Sequence, residues 1–210
     1  PINDMLNLAN TIQSALAGAE RVFEVMDEEF EQDKEDAVDI DTIEGEVTLE
    51  NVEFSYTKDK KILKGIDLHA SKGKTVAIVG PTGSGKTTVI NLLNRFYDID
   101  SGKITIDNKN IDEFTIRSLR KSIAIVLQDT YLFSTTVREN IRFGRLDATD
   151  EEVEAAAKLA HVHHFIKQLP DGYDTVLSDN GSDLSQGQRQ LLAIARAMIS
   201  NCSILILDEA

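Results

Sequence analysis

Cysteine is nearly missing from this chain. Cys202 stands alone among 210 residues, which excludes an internal disulfide and suits a reducing, cytosolic setting with a buried structural thiol. Basic residues are short as well. Against 36 Asp and Glu there are 22 Lys and Arg, a formal net charge of −14. So acidic a chain makes a poor partner for nucleic acid, whose phosphates ask for a basic face. No run approaches ~18 consecutive apolar residues, so no segment is built to cross a bilayer. Pro1 is not an initiator methionine, and no signal peptide follows it. There is no internal repeat. The one compositionally biased stretch runs from Asp27 to Asp41, with nine acidic residues and one lysine, and reads as a solvated linker without packing of its own. His161, His163 and His164 crowd together, but one short helix cannot aim all three at a single ion, and surface positions are expected. The rest is ordinary for a folded chain, with 41% hydrophobic residues and a length that fits one domain.

Thr75 to Thr88 reads TVAIVGPTGSGKTT, an apolar strand running into a glycine-rich turn. The turn fits G-x-x-x-x-G-K-[ST] with Gly80, Gly85, Lys86 and Thr87, flanked as that pattern requires by a strand before and helix formers after. Gly80, Gly83 and Gly85 allow backbone geometries that bring successive N–H groups onto phosphate oxygens with no Cβ in the way. Lys86 adds a mobile point charge, and the helix starting there turns its unpaired N–H groups and positive dipole end to the same anion. Pro81, Thr82, Ser84 and Thr88 complete the lining, and the Thr87 hydroxyl is placed to ligate Mg²⁺. The other reading, a chance glycine turn, leaves this flanking context unexplained.

Ile204 to Glu209, ILILDE, reads as a strand buried on both faces and ending in two carboxylates. Beside a P-loop this is a Walker B pattern, with Asp208 holding Mg²⁺ and Glu209 orienting and deprotonating the attacking water. Between the two elements lies LSQGQRQ, from Leu184 to Gln190, followed by LLAIARAMI with apolar residues at helical spacing. Ser185 is the expected N-cap.

In order and spacing these three elements resemble the ATP-binding cassette (ABC) family, whose signature, commonly LSGGQ, lies just upstream of Walker B. The resemblance implies an α/β fold: a P-loop NTPase (RecA-like) core with an antiparallel β subdomain and an all-helical subdomain carrying the signature. It also implies ATP and Mg²⁺ as ligands. Gln128, in IVLQD, resembles the Q-loop glutamine that contacts Mg²⁺ and the attacking water, which makes Lys86, Gln128 and Glu209 the expected catalytic set. Tyr56, in EFSY, stands where the family stacks an aromatic ring on adenine; an ordinary strand aromatic is the other reading. The stretch from Asp129 to Ile141 resembles the segment that lies against the coupling helices of the transmembrane domains in ABC exporters, though Tyr131 and Phe133 also read as core.

Ile2, Met5, Ala9, Ile12, Leu16, Ala19, Phe23 and Met26 recur in alternating steps of three and four. That heptad stripe predicts a helix of roughly 26 residues, about 39 Å at ~1.5 Å per residue, with an apolar face in need of a partner. Its sequence resembles the exit of the last transmembrane helix of an exporter half; a free amphipathic helix docking on its own domain is the other reading. The expected organisation is 1–30 for that helix and its extension, 31–44 for the acidic linker and 45–134 for the ATP-binding core. A helical subdomain with the signature follows at 135–200, and 201–210 carries the Walker B strand back to the core. Strands are expected near Val47–Phe54, Ile66–His69, Thr75–Val79, Lys103–Asp107, Ile123–Leu127 and Ile204–Leu207, with helices after the P-loop and near Arg117.

The mechanism implied by the resemblance is a head-to-tail dimer at the cytoplasmic face of the cell membrane. Ser185, Gly187 and Gln188 would serve the ATP of a second nucleotide-binding domain, and closure would drive transport. Position 186 is Gln where the common signature has Gly, and SDNGSD replaces the usual TEVGERG, which points to a non-identical partner half. The family continues past Walker B with a D-loop, further strands and a switch histidine, so these 210 residues alone are expected to hydrolyse ATP weakly. A soluble ABC ATPase with a mechanical or regulatory role is the alternative.

Overall fold

A computed structural model describes residues 2–28, 30–40, 42–57, 60–128 and 130–208, with only the backbone described at Asp179. The chain divides into two units, 1–33 and 34–210.

The first unit is the helix that the heptad stripe predicts. Helix α1 spans Ile2–Met26, 25 residues, and none of its residues is buried. No helix among the described residues is long and apolar enough to cross a membrane.

In the second unit, strands β1 (Val47–Thr57) and β2 (Lys60–Ala70) pair antiparallel. Strand β3 (Ser101–Ile106) lies on the other side of β1, and the short β4 (Lys109–Asn110) completes the order β2-β1-β3-β4. Alternation along β1 buries Val47 and Leu49, slips where Asn51 takes φ 45°, and resumes at Val52 and Phe54. Beneath this sheet pack Val89 and Leu92 of helix α2 (Lys86–Leu93), Leu119 of α3 (Ile116–Ser122) and Ile123, which opens strand β5 (Ile123–Val126).

A second core, from Leu132 to Ile199, is built mainly from helices, and across 135–200 no named strand occurs, as composition predicts. Helices α4 (Val137–Arg142), α5 (Asp150–Leu159), α6 (His163–Ile166) and α7 (Gln186–Ile199) enclose Val137, Ile141, Val153, Ile166 and Leu192. The starts of α4, α5 and α7 are capped by side chains. Thr136 accepts from Glu139 N, and Thr149 and Ser185 each form a capping box with the residue three positions on. The Thr149 amide, and after it Arg145, holds the Glu152 carboxyl below its ordinary range. After α7 the chain re-enters the first core as strand β6 (Ile204–Leu207), parallel to β5.

Several expectations are corrected. Thr75–Val79 joins no ladder among the described residues, so its backbone has no sheet partner there, and Val79 is 88% exposed. Strand β6 is not buried on both faces. Ile204 and Ile206 pack on the core, while Leu205 and Leu207 face outward. The acidic linker is anchored from residue 34 onward. Lys34 pairs with Asp112 at 2.5 Å, Val38 exchanges backbone bonds with Glu113 and Thr115, and Ile40 packs against the sheet core. His163 is half-buried, its Nδ1 2.7 Å from the Tyr173 hydroxyl, whose pKa burial pushes up to about 12. Cys202 is half-buried rather than enclosed.

Gly144 marks the closest packing in the helical core: a Cβ there would lie 2.0 Å from Arg196 O and 2.8 Å from Ile199 Cγ2. Gly144→Ala is therefore expected to destabilise the chain by about 1–3 kcal/mol, seen as a lower urea midpoint. Gly187→Ala, with nothing within 4 Å of the added Cβ, should cost nothing.

Candidate nucleotide site

The glycine-rich turn has the geometry a phosphate cradle needs. Gly83 and Gly85 sit at φ 82° and 95°, the left-handed region that side chains resist. Space is as restrictive as torsion: a Cβ on Gly85 would meet Leu63 Cδ2 at 2.6 Å, and one on Gly80 would meet Ser84 Oγ at 2.6 Å. Gly85 caps α2, so the first turn of the helix opens directly onto the loop. Lys86 Nζ donates to Gly80 O at 2.8 Å and Pro81 O at 3.2 Å. The lysine thus arches over the loop and holds its charge where an anion would sit. Thr87 is exposed beside it, whereas Thr88 is buried.

Tyr56 joins this site from β1. Its hydroxyl donates to Thr88 Oγ1 at 3.3 Å and accepts from Asn91 Nδ2 at 3.2 Å, tying the ring to α2. Edge-to-face contacts with Phe54 (4.8 Å) and Tyr97 (5.0 Å) fix its plane while leaving it 45% exposed. Neither Asn91 nor Tyr97 belongs to a motif, and neither is legible as a site residue from the sequence.

Gln128 lies just beyond β5, and the backbone N–H of Asp208, just beyond β6, donates to Val126 O at 2.9 Å. The parallel ladder therefore brings these two positions to the same end of the strands. Glu209 lies outside the described residues. The signature stands apart from the P-loop. Ser185 Oγ accepts from Gln188 N at 3.3 Å and Gln188 Oε1 from Ser185 N at 2.8 Å, and no hydrogen bond among the described residues joins 80–88 to 184–190. Instead Gln186 and Arg189 face Gln128, Thr130, Tyr131 and Asn180 across a cavity of about 240 Å³.

The segment after Gln128 is held by a polar hub that the sequence does not announce. Asn140 is fully buried; its amide donates to Phe133 O at 2.9 Å and Thr136 O at 3.1 Å, and its oxygen accepts from Phe133 N at 2.9 Å. Arg196 closes the hub by donating to Asn140 O, Asn140 Oδ1 and Tyr131 O. Tyr131 is left 55% exposed, a surface residue rather than core.

The restricted glycines and the lysine fit a phosphate chain, and Thr87, Gln128 and Asp208 offer the hard oxygen donors that Mg²⁺ takes. A purine on Tyr56 would gain roughly 1–3 kcal/mol from stacking. Tyr56→Ala is accordingly expected to weaken ATP binding by about tenfold or more, while Tyr56→Phe stays close to wild type. Titration with a fluorescent ATP analogue measures both.

Comparison with known proteins agrees with this geometry. Residues 63–210 match the ABC transporter family. An ABC transporter ATP-binding protein of Bacillus subtilis is 54% identical over 211 residues, covering 100% of this chain and 35% of the relative. A fatty acid ABC transporter ATP-binding/permease protein of Mycobacterium tuberculosis is 46% identical, covering 100% and 33%. An ATP-dependent lipid A-core flippase of Syntrophus aciditrophicus is 44% identical, covering 100% and 35%. The chain spans about a third of the length of these curated relatives. Among solved structures, a bacterial Atm1-family ABC exporter with ATP bound superposes with a TM-score of 0.85 at 42% identity, over 95% of this chain and 35% of that one. With its P-loop, its helical signature subdomain and this match over residues 63–210, the chain belongs to the ABC transporter family.

Proposed function

We propose that this chain is the ATP-binding and hydrolysing part of an ABC exporter, working at the cytoplasmic face of a membrane and coupled to a membrane-spanning part of the same protein. One observation carries the reading: the loop from Gly80 to Gly85 leaves little room for a Cβ at Gly80 or Gly85, opens onto the start of α2 and is spanned by Lys86. When ATP binds, Lys86 exchanges the Gly80 and Pro81 carbonyls for phosphate oxygens, and the loop and helix N–H groups supply the remaining donors. Thr87, Gln128 and Asp208 hold Mg²⁺, which neutralises phosphate charge when bound. Glu209 takes the proton of the attacking water.

In this reading Ser185, Gly187 and Gln188 serve the ATP of a second nucleotide-binding domain. Their separation from the P-loop within one chain supports a site completed in trans. A ligand that binds the closed pair better than the open one shifts the equilibrium by that difference in affinity, and the α1 extension and the segment from Thr130 to Ile141 pass the shift to the membrane part. Gln186, in place of the signature's usual glycine, favours a non-identical partner half.

Lys86→Ala is expected to abolish ATP binding, measured by equilibrium titration. In the full-length protein with its partner, Glu209→Gln should retain ATP while losing turnover, measured by nucleotide retention and phosphate release. Unchanged ATP affinity in Lys86→Ala would sink the P-loop assignment, and normal turnover in Glu209→Gln would sink the base.

A further inference from the structure

Helix α2 presents its N-terminus to the phosphate loop, so whatever fixes its far end also fixes that aim. The helix is only eight residues long, about 12 Å at ~1.5 Å per residue. At its C-cap Asn94 is 2% exposed and closes the last turn with its side chain, Nδ2 donating to Ile90 O at 2.8 Å. Arg95, the next residue, takes φ 50°, the left-handed conformation that glycine usually fills after a helix and that costs other residues. Such a turn persists only where its neighbours hold it. The holder is Arg120 of α3. Its Nε donates to Asn94 O at 3.0 Å and its Nη2 to Arg95 O at 2.9 Å, a fork on two successive carbonyls that an ammonium cannot reproduce. The guanidinium carbon also lies 4.8 Å from the centre of the Phe96 ring. One side chain therefore meets residues 94, 95 and 96, and its positive charge stands at the negative end of the helix dipole. A return tie runs the other way: Arg95 Nη1 donates to Phe114 O at 3.1 Å, just ahead of Thr115, the N-cap of α3.

Resting on the ATP-binding reading above, we propose that Arg120 is a positioning residue for the phosphate cradle, clamping the left-handed turn after α2 and so fixing the axis of that helix. It acts on phosphate only through α2. With the far end released, the short helix can pivot about its buried residues Val89 and Leu92, and its first-turn N–H groups, Lys86 and Thr87 lose their aim. Binding suffers more than the chemical step, because Gln128 and Glu209, the groups proposed to act on the attacking water, belong to other segments of the chain.

The test uses the full-length protein with its partner. Arg120→Ala is expected to raise both the Kd for a fluorescent ATP analogue and the KM for ATP by about tenfold, with kcat at saturating ATP within about twofold of wild type. Arg120→Lys keeps the charge and most of the stem but loses the fork, and should raise the same two constants by about threefold or more. Gly144→Ala strains the helical core instead, and should lower the urea midpoint while leaving both constants near wild type. Wild-type affinity in Arg120→Lys, an equal loss of affinity in Gly144→Ala, or a fall in kcat with KM unchanged in Arg120→Ala would each overturn the proposal. If the wild-type protein fails to bind the analogue, or Lys86→Ala binds it equally well, the ATP-binding reading itself fails.

Discussion

Four residue pairs between β5 and β6, from Ile123 with Ile204 to Val126 with Leu207, hold the second unit together. The residues between these strands form an entire helical core of their own. The ladder must close that long excursion, and the loop-closure entropy it opposes grows only slowly with loop length. A short parallel pairing of apolar residues, backed by the core that Val89, Leu92 and Ile123 share with the antiparallel sheet, is sufficient. Its consequence is chemical. Gln128 and Asp208, far apart in sequence, follow adjacent strand ends, the arrangement that the proposed Mg²⁺ site calls for.

Lys86 bridges Gly80 O and Pro81 O, so the ammonium is partly satisfied and the loop is drawn around the place a phosphate would take. The positive φ of Gly83 and Gly85 is compatible with that curvature, and a Cβ at Gly85 would press on Leu63 Cδ2 at 2.6 Å. Tyr56 is pinned by Thr88 and Asn91 on the same helix that Gly85 caps. In the proposed binding mode, a base stacked on Tyr56 and phosphates in the loop would share one element, α2.

Much of this is legible in the sequence because it is local. The start of α2 at Lys86, the Ser185 cap, the strand Ile204–Leu207 and the absence of named strands across 135–200 follow from turn chemistry, capping and periodicity. What stays hidden depends on distant neighbours. Thr75–Val79 has strand composition, but a strand needs a ladder, and none of the described strands supplies one. Leu205 and Leu207 read as buried because apolar runs usually are, yet one face of β6 is open. His163 reads as surface until Tyr173 is seen beside it, and the linker reads as loose until Val38 is found bridging to Glu113 and Thr115. Asn140 and Arg196 carry no motif at all; only the fold reveals that they hold the segment following Gln128.

The measurement that bears most directly on the account is a comparison of ATP with AMP, in the presence of Mg²⁺, by calorimetric titration of the full-length protein. If the Gly80–Lys86 loop is a cradle for phosphates, ATP binds and AMP, lacking the outer phosphates, binds at least about a hundredfold more weakly. Equal affinity for the two would mean that the loop does not hold the phosphate chain, and would contradict the account at its centre.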